Sequence, residues 1–268
     1  MKCYVKNERK YRILDRMIDT HCHLDFKPFN KDRKEVLKRT KEKLTCIINS
    51  GTSYKGNQGV LKLAKENSNF LYPSFGFHPV SSGQSSKKDV EIAMDHMVKH
   101  LDDIVAIGEV GMDYFHVKEK KEREKQGKIF EFFADLANEH EIPLLIHGRD
   151  CEKKAYNIIK KFNSIPEVIF HCYSGSLKTA NKLVDEGYYM SFSTMICYSK
   201  HHQELVKDIP LENILTETDS PYLAPKRGER NEPINVAKVV EKIAEINEEK
   251  VDVIDKTTEK NAKKVFNI

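Results

Sequence analysis

The sequence predicts an α/β fold, a (β/α)8 TIM barrel, on three observations. Short runs rich in Ile, Val, Leu and Phe recur about eight times along the 268 residues, as strands buried on both faces require. Amphipathic stretches at helical spacing separate them. Imidazole and carboxylate side chains stand where several of the apolar runs stop. Strand-helix alternation alone fits an open doubly wound sheet as well as a closed barrel. The third observation separates the two. An open sheet gathers ligands where strand order reverses, so few strands contribute; closure brings all the strand ends to one rim.

The strand candidates run over 17–21, 44–50, 70–76, 103–109, 142–147, 167–172, 188–193 and 213–218. The clearest helix lies at 121–140, where Ile129, Phe130, Phe133, Leu136 and Ala137 recur at helical spacing among charges. Others are expected at 153–162, 176–186, 233–247 and 251–266, with Gly187 as the C-terminal stop of the third. Residues 17–268 are expected to form one barrel domain, within the usual length of that fold. Residues 1–16 differ. They carry Lys2, Lys6, Arg9, Lys10, Arg12 and Arg16 with few apolar groups. An N-terminal extension is expected there, with a basic arm that touches nucleic acid as the alternative.

Charged residues make up 32% of the chain and hydrophobic ones 39%, a charged surface over an ordinary core rather than disorder. Lys and Arg (45) exceed Asp and Glu (41) by four. That excess is too mild to declare a nucleic-acid binder by itself, yet it does not repel phosphorylated substrates. The six cysteines (Cys3, Cys22, Cys46, Cys151, Cys172 and Cys197) include no C-x-x-C pair, and no apolar signal segment precedes them. Reduced thiols in the cytoplasm are therefore expected. No apolar stretch approaches the length of a membrane span.

Six residues are candidate metal ligands. His21 and His23 lie two apart in Ile-Asp-Thr-His-Cys-His, so on an extended strand they share a face while Cys22 points away. Glu109 ends Ile-Val-Ala-Ile-Gly, between Gly108 and Gly111, where a carboxylate can bridge two ions with its two oxygens. His147 ends Ile-Pro-Leu-Leu-Ile, His171 ends Val-Ile-Phe, and Asp219 ends Ile-Leu-Thr-Glu-Thr before Ser-Pro. Each has a bland alternative: a core histidine, a salt-bridging glutamate, an aspartate capping the next helix. Imidazole with carboxylate and no clustered thiolate suits zinc, iron, manganese or similar ions. Cys22 and Cys172 adjoin ligands in sequence, and strand alternation is expected to turn both away into packing.

At these residues the chain resembles the TatD family of metal-dependent deoxyribonucleases, within the amidohydrolase-like barrels. The landmarks are Ile-Asp-Thr-His-Cys-His-Leu-Asp (18–25), Gly-Phe-His-Pro (76–79), Ile-Gly-Glu-Val-Gly-Met-Asp-Tyr (107–114), Pro-Leu-Leu-Ile-His-Gly-Arg (143–149), His-Cys-Tyr-Ser-Gly-Ser (171–176), Glu-Thr-Asp-Ser-Pro-Tyr-Leu-Ala-Pro (217–225) and Arg-Asn-Glu-Pro (230–233). The resemblance implies a barrel with two divalent ions of the zinc, magnesium, manganese, iron or nickel kind. His21, His23 and Asp219 would hold one, His147 and His171 the other, and Glu109 would bridge. Asp219 and Glu109 would be catalytic, Asp219 orienting or deprotonating the attacking water. The implied reaction is phosphodiester hydrolysis in DNA, often from the 3′ end of single strands; separately, a monomer is expected. An ester or amide hydrolase, such as a D-aminoacyl-tRNA deacylase, and a non-catalytic scaffold are the alternatives. Two departures stand out. Val80 replaces a histidine frequent after His-Pro in the family, and Ser193-Thr194-Met195-Ile196-Cys197-Tyr198 replaces a commoner Ser-Gly run.

Four further residues are candidates for the substrate side. His78 ends Pro-Ser-Phe-Gly-Phe, where it can contact a phosphate or simply hold a turn. Arg149 follows His147 by two and can grip a phosphate bidentately or pair with a carboxylate. Arg227 and Arg230 either line a nucleic-acid track or fix the loop before the last helices. Tyr114 and Tyr222 can offer stacking faces to bases, with core packing favoured for Tyr222. The mixed run from Lys118 to Lys128 reads as a solvated helix face.

Overall fold

The computed structural model describes residues 17–268; the expected extension and basic arm at 1–16 lie outside the described residues. Eight strands form one parallel sheet in sequential order. They are β1 (Ile18–Cys22), β2 (Cys46–Ser50), β3 (Leu71–Phe75), β4 (Ala106–Asp113), β5 (Leu144–Arg149), β6 (Val168–His171), β7 (Tyr189–Phe192) and β8 (Ile214–Thr216). Nearly every strand residue is buried, as the continuous apolar runs require.

The sheet closes between β1 and β8. Cys22 bridges Ser220 in parallel. The Asp219 amide donates to the His21 carbonyl at 2.9 Å, and the His23 amide donates to the Ser220 carbonyl at 2.8 Å. Buried Asp19 reinforces the seam, accepting from the Thr218 amide at 2.9 Å and the Thr218 hydroxyl at 2.6 Å. The architecture is the expected (β/α)8 barrel.

The expected helices are present as α5 (Lys120–Glu139), α6 (Glu152–Ile159), α7 (Leu177–Asp185), α9 (Val236–Ile246) and α10 (Val251–Phe266). Around them stand α1 (Arg33–Lys41), α2 (Tyr54–Glu66), the single turn α3 (Pro79–Ser82), α4 (Lys87–Val98) and α8 (Lys200–Asp208). Local chemistry sets their ends. Ser53 caps α2 by accepting from the Gly56 amide, Ser86 and Asp89 form a capping box on α4, and Gly187 follows α7 with φ +76°. The 118–128 run is not merely solvated. Gln126 is fully buried and joins β4 to α3, accepting from the Asp113 amide at 3.1 Å and donating to the Pro79 carbonyl at 2.9 Å.

The main apolar cluster fills the space between sheet and helices, with Phe130 and Phe133 of α5 wholly buried. A second cluster joins residues near the starts of seven strands, from Ile18 to Leu215, to Ala262, Val265 and Phe266 of α10. That end of the barrel is sealed by hydrocarbon. The polar residues collect at the other end.

Candidate metal centre

Three residues just past strand ends adopt left-handed backbone at this rim: Asp150 after β5, Cys172 after β6 and Asp219 after β8. Non-glycine residues hold that conformation at a cost and cluster at functional sites. Two ligand strands also carry register shifts, β1 between Asp19 and Cys22 and β4 between Ile107 and Val110. Such bulges re-aim side chains.

The result is convergence of all six candidate ligands. The Nε2 atoms of His21 and His23 lie 3.1 Å apart. Asp219 Oδ1 is 3.8 Å from the first and 3.4 Å from the second. Glu109 Oε1 lies 3.6 Å from His23 Nε2. Its other oxygen, Oε2, is 2.9 Å from His171 Nε2 and 3.3 Å from His147 Nδ1, and those two nitrogens are 3.1 Å apart. His23 thus faces one Glu109 oxygen and His147 and His171 the other, which His21 Nε2 also approaches at 3.8 Å. A related triad, His78, Glu109 and His147, also brings its ligand atoms within 4.8 Å of one another.

The outer nitrogens decide what the inner ones can do. His23 Nδ1 faces the Ser50 carbonyl at 2.8 Å, which only accepts, so Nδ1 carries the proton and Nε2 presents a lone pair inward. His147 Nε2 faces Asp113 Oδ2 at 3.1 Å, leaving its Nδ1 lone pair inward. His171 Nδ1 faces Glu217 Oε1 at 3.5 Å without a hydrogen bond, and its Nε2 faces Glu109. His21 Nδ1 is held by the Ser50 hydroxyl at 3.1 Å. Lone pairs aimed at one another and at carboxylates repel unless a cation lies between them. Imidazoles oriented by carboxylates and carbonyls behind them are the usual form of a protein metal site.

The electrostatics agree. Burial pulls the His23 imidazole down, but Asp219 and Glu109 outweigh it and push it up to about 9. Burial also opposes charge on His171, yet Glu217 and Glu109 hold it well above its ordinary value. Burial would raise the Glu109 carboxyl; the neighbouring imidazoles of His78, His147 and His171 keep it well below the carboxylate range. His21 goes the other way, burial and the His171 imidazole holding it well below its ordinary value; the raised His23 and His171 and the lowered Glu109 favour positive charge between them. The donors, imidazole nitrogen and carboxylate oxygen, suit zinc, iron or manganese.

His78 caps α3, its Nδ1 accepting from the Val80 amide at 3.3 Å, while its ring lies 4.6 Å from that of His147. It serves the turn and faces the centre together. Arg149 lines the mouth, a cavity of about 530 Å³ that also includes Val80 and Tyr222. Arg227 is exposed and lies over the Tyr198 ring at 5.2 Å. Arg230 is engaged elsewhere. It pairs with Asp32 at 2.6 Å and Glu232 at 2.9 Å, and Glu232 also binds Arg39 at 2.7 Å. That network ties the loop after β8 to the start of α1, the loop-fixing alternative.

Two expectations are corrected. Cys172 is not turned away. The strand alternation that would have hidden it ends at His171, and its left-handed backbone leaves it lining the inner cleft with His147, Arg149 and Asp219. The tyrosines are reversed. Tyr222 is 53% exposed, whereas Tyr114 is held between Arg123, 4.5 Å over its ring, and Lys154, 2.6 Å from its hydroxyl. Sequence reasoning does not single out Asp113, Glu217 and Ser50, which stand behind the imidazoles. The one local signal for Glu217 is its place two residues before Asp219, and Asp113 lies four residues along β4 from Glu109.

The closed barrel and this donor set define a metal-dependent hydrolase. The family model described as TatD related DNase matches residues 18–267, and the chain belongs to that family. It is 39% identical over 249 residues to an uncharacterized metal-dependent hydrolase of Methanocaldococcus jannaschii, covering 93% of this chain and 96% of the relative. It is 30% identical over 261 residues to the deoxyribonuclease TATDN3 of Homo sapiens, covering 93% and 94%. The crystal structure of YJJV, a TatD homologue from Escherichia coli K12, superposes with a TM-score of 0.87 at 29% identity, over 96% of this chain and 99% of that one. A dihydroorotase at 14% identity and TM-score 0.58 shares the fold alone.

Proposed function

We propose that this protein is a deoxyribonuclease with two divalent ions, working from the 3′ end of single-stranded DNA. The observation that carries the proposal is the pair of inward-facing nitrogen sets on either side of Glu109. In our reading His21, His23 and Asp219 would hold one ion and His147 and His171 the other, with Glu109 available to both. Ions bound there would lower the pKa of a shared water toward neutrality and offset charge developing on the phosphoryl oxygens. The human relative's name, a deoxyribonuclease, supports a phosphodiester substrate.

The chain's own groups supply the rest. Asp219, with 18% of its side chain exposed, orients the attacking water and takes its proton. Burial pulls the His78 imidazole down to about 4 against the pull of Glu109, so it is neutral at pH 7. Its Nδ1 accepts from the Val80 amide, which puts the proton on Nε2 as a donor to a phosphate oxygen. Arg149 at the mouth binds a neighbouring phosphate. Arg227 extends that track at the surface. We assign the enzyme to the cytoplasm as a monomer. The five described cysteines are free, which suits a reducing compartment. No helix among the described residues is long and apolar enough to cross a membrane.

The test is product analysis on end-labelled single-stranded and duplex DNA with magnesium, manganese or zinc. Mononucleotides released from the 3′ end of single strands are expected. Inert DNA beside cleavage of a charged-tRNA ester would replace the proposal with the ester-hydrolase alternative.

A further inference from the structure

The residues above account for the floor of the mouth. Its rim carries aromatic surface that they leave unused. Among the described residues four large aromatic side chains are exposed; of these Tyr222 lines the mouth, and Phe115 stands beside it against the lining residue Arg149. Tyr222 meets Phe26 edge-on, with ring centroids 6.1 Å apart. Phe26 in turn stacks on the His23 ring at 4.5 Å and 14°. Rings therefore run unbroken from a candidate ligand at the floor to the surface. On the other set's side, Arg149 follows His147 by two along β5, and its guanidinium lies 5.0 Å over the Phe115 ring, which Lys118 also approaches at 5.3 Å; unlike the half-buried Tyr114, that ring keeps half its surface open. Phe115 is 51% exposed.

A single exposed aromatic is ordinary. Here each belongs to a ring or cation system that fixes its orientation, and one such system stands behind each nitrogen set. A phosphate held between the sets would have a ring system on either side. The cavity lining contains His, Thr, Ser, Asp, Glu and Arg but no Asn or Gln, the side chains that read adenine edges bidentately. Stacking itself tolerates every base, because each has a π-face. A cavity of about 530 Å³ is of small-molecule size and takes separated nucleotides rather than a duplex.

We infer that Tyr222 with Phe26, and Phe115 with Arg149, form a base-stacking subsite that holds the unpaired nucleobases flanking the scissile phosphate regardless of sequence. The inference rests on the phosphodiesterase reading for its placement, and it is tested by binding as well as turnover. Tyr222→Leu and Phe115→Leu keep apolar bulk and remove the ring. Binding of a fluorescein-labelled single strand is followed by anisotropy in metal-free full-length protein, and KM is measured with metal. The control strand is abasic at its terminal positions. Each variant is expected to weaken binding and raise KM about tenfold on the base-bearing strand, with kcat within about twofold. On the abasic strand the wild type is expected to lose that advantage over the variants. Wild-type affinity in both variants overturns the subsite, and so does an equal loss on base-bearing and abasic strands. A wild type that binds the strand through these rings but never cuts it supports the subsite and sinks the nuclease reading. A wild type that does neither sinks both.

Discussion

His171 Nδ1 and Glu217 Oε1 face each other at 3.5 Å inside the barrel, and both are almost wholly buried. The Ser191 hydroxyl donates to the other Glu217 oxygen. Neither His171 Nδ1 nor Glu217 Oε1 has a hydrogen-bond partner among the described residues, so the contact between them is electrostatic, with His171 Nε2 on the Glu109 side. Glu217→Gln is expected to weaken metal retention by roughly 10- to 100-fold. The measure is metal content after dialysis against graded chelator, with the circular dichroism spectrum unchanged. Full retention would show that Glu217 only fills space.

Gly76 lies against the backbone of Glu109. A Cβ there would overlap the Glu109 nitrogen and oxygen and the Gly51 carbonyl. Backbone atoms cannot swing away as a flexible side chain can. Gly76→Ala is expected to displace Glu109, costing turnover and metal together, and to lower stability by about 1–3 kcal/mol. Urea unfolding with metal analysis on the same samples checks it.

Asp219→Asn keeps the shape and removes the base. Turnover on single-stranded DNA is expected to fall by roughly two to four orders of magnitude with a cooperative melt preserved. A variant at full rate with added metal would exclude Asp219 as the proton acceptor.

The two arginines are expected to separate cleanly. Arg149→Met should raise KM by roughly tenfold or more, the loss of an ionic hydrogen bond to phosphate. Arg230→Met should leave KM alone and lower Tm by roughly 2–4 °C, because its guanidinium is held by Asp32 and Glu232. Paired kinetics and thermal melts decide this. A raised KM for the Arg230 variant would restore it to the substrate track.

His202 supplies a pH prediction away from the centre. It is 3% exposed. Its Nδ1 meets the Ser199 hydroxyl at 2.7 Å, and Nε2 has no hydrogen-bond partner among the described residues. Burial, aided by His201 and Arg149, lowers it to about 4. The unfolded chain takes up this proton near pH 6.5 and the folded chain only near 4, so the native state loses stability as pH falls through that window. His202→Phe is expected to flatten the loss between those values in urea titrations at several pH values. An unchanged slope would mean that the imidazole charges freely in place.

The sequence made the strands and the six inward ligands legible for one reason. Each is a local signal: an apolar run, then an imidazole or acid. What it hid depends on distance. Arg230 reads as a free cation until Asp32, 198 residues earlier, is brought beside it. Asp113 is legible only once β4 continues past Glu109, four residues beyond the expected strand end. The helix α1 shows just three buried positions, Val36, Leu37 and Thr40, among many charges, so its periodicity was too thin to delimit. Tyr114 and Tyr222 look alike in sequence, and only the cations around Tyr114 settle which ring is free.

The seam between β1 and β8 makes neighbours of His23 and Asp219, which stand 196 residues apart in sequence. A ribosome must release Asp219 before that carboxylate can reach the two imidazoles. A product truncated ahead of β8 therefore holds the histidines of β1 without the acid that faces them.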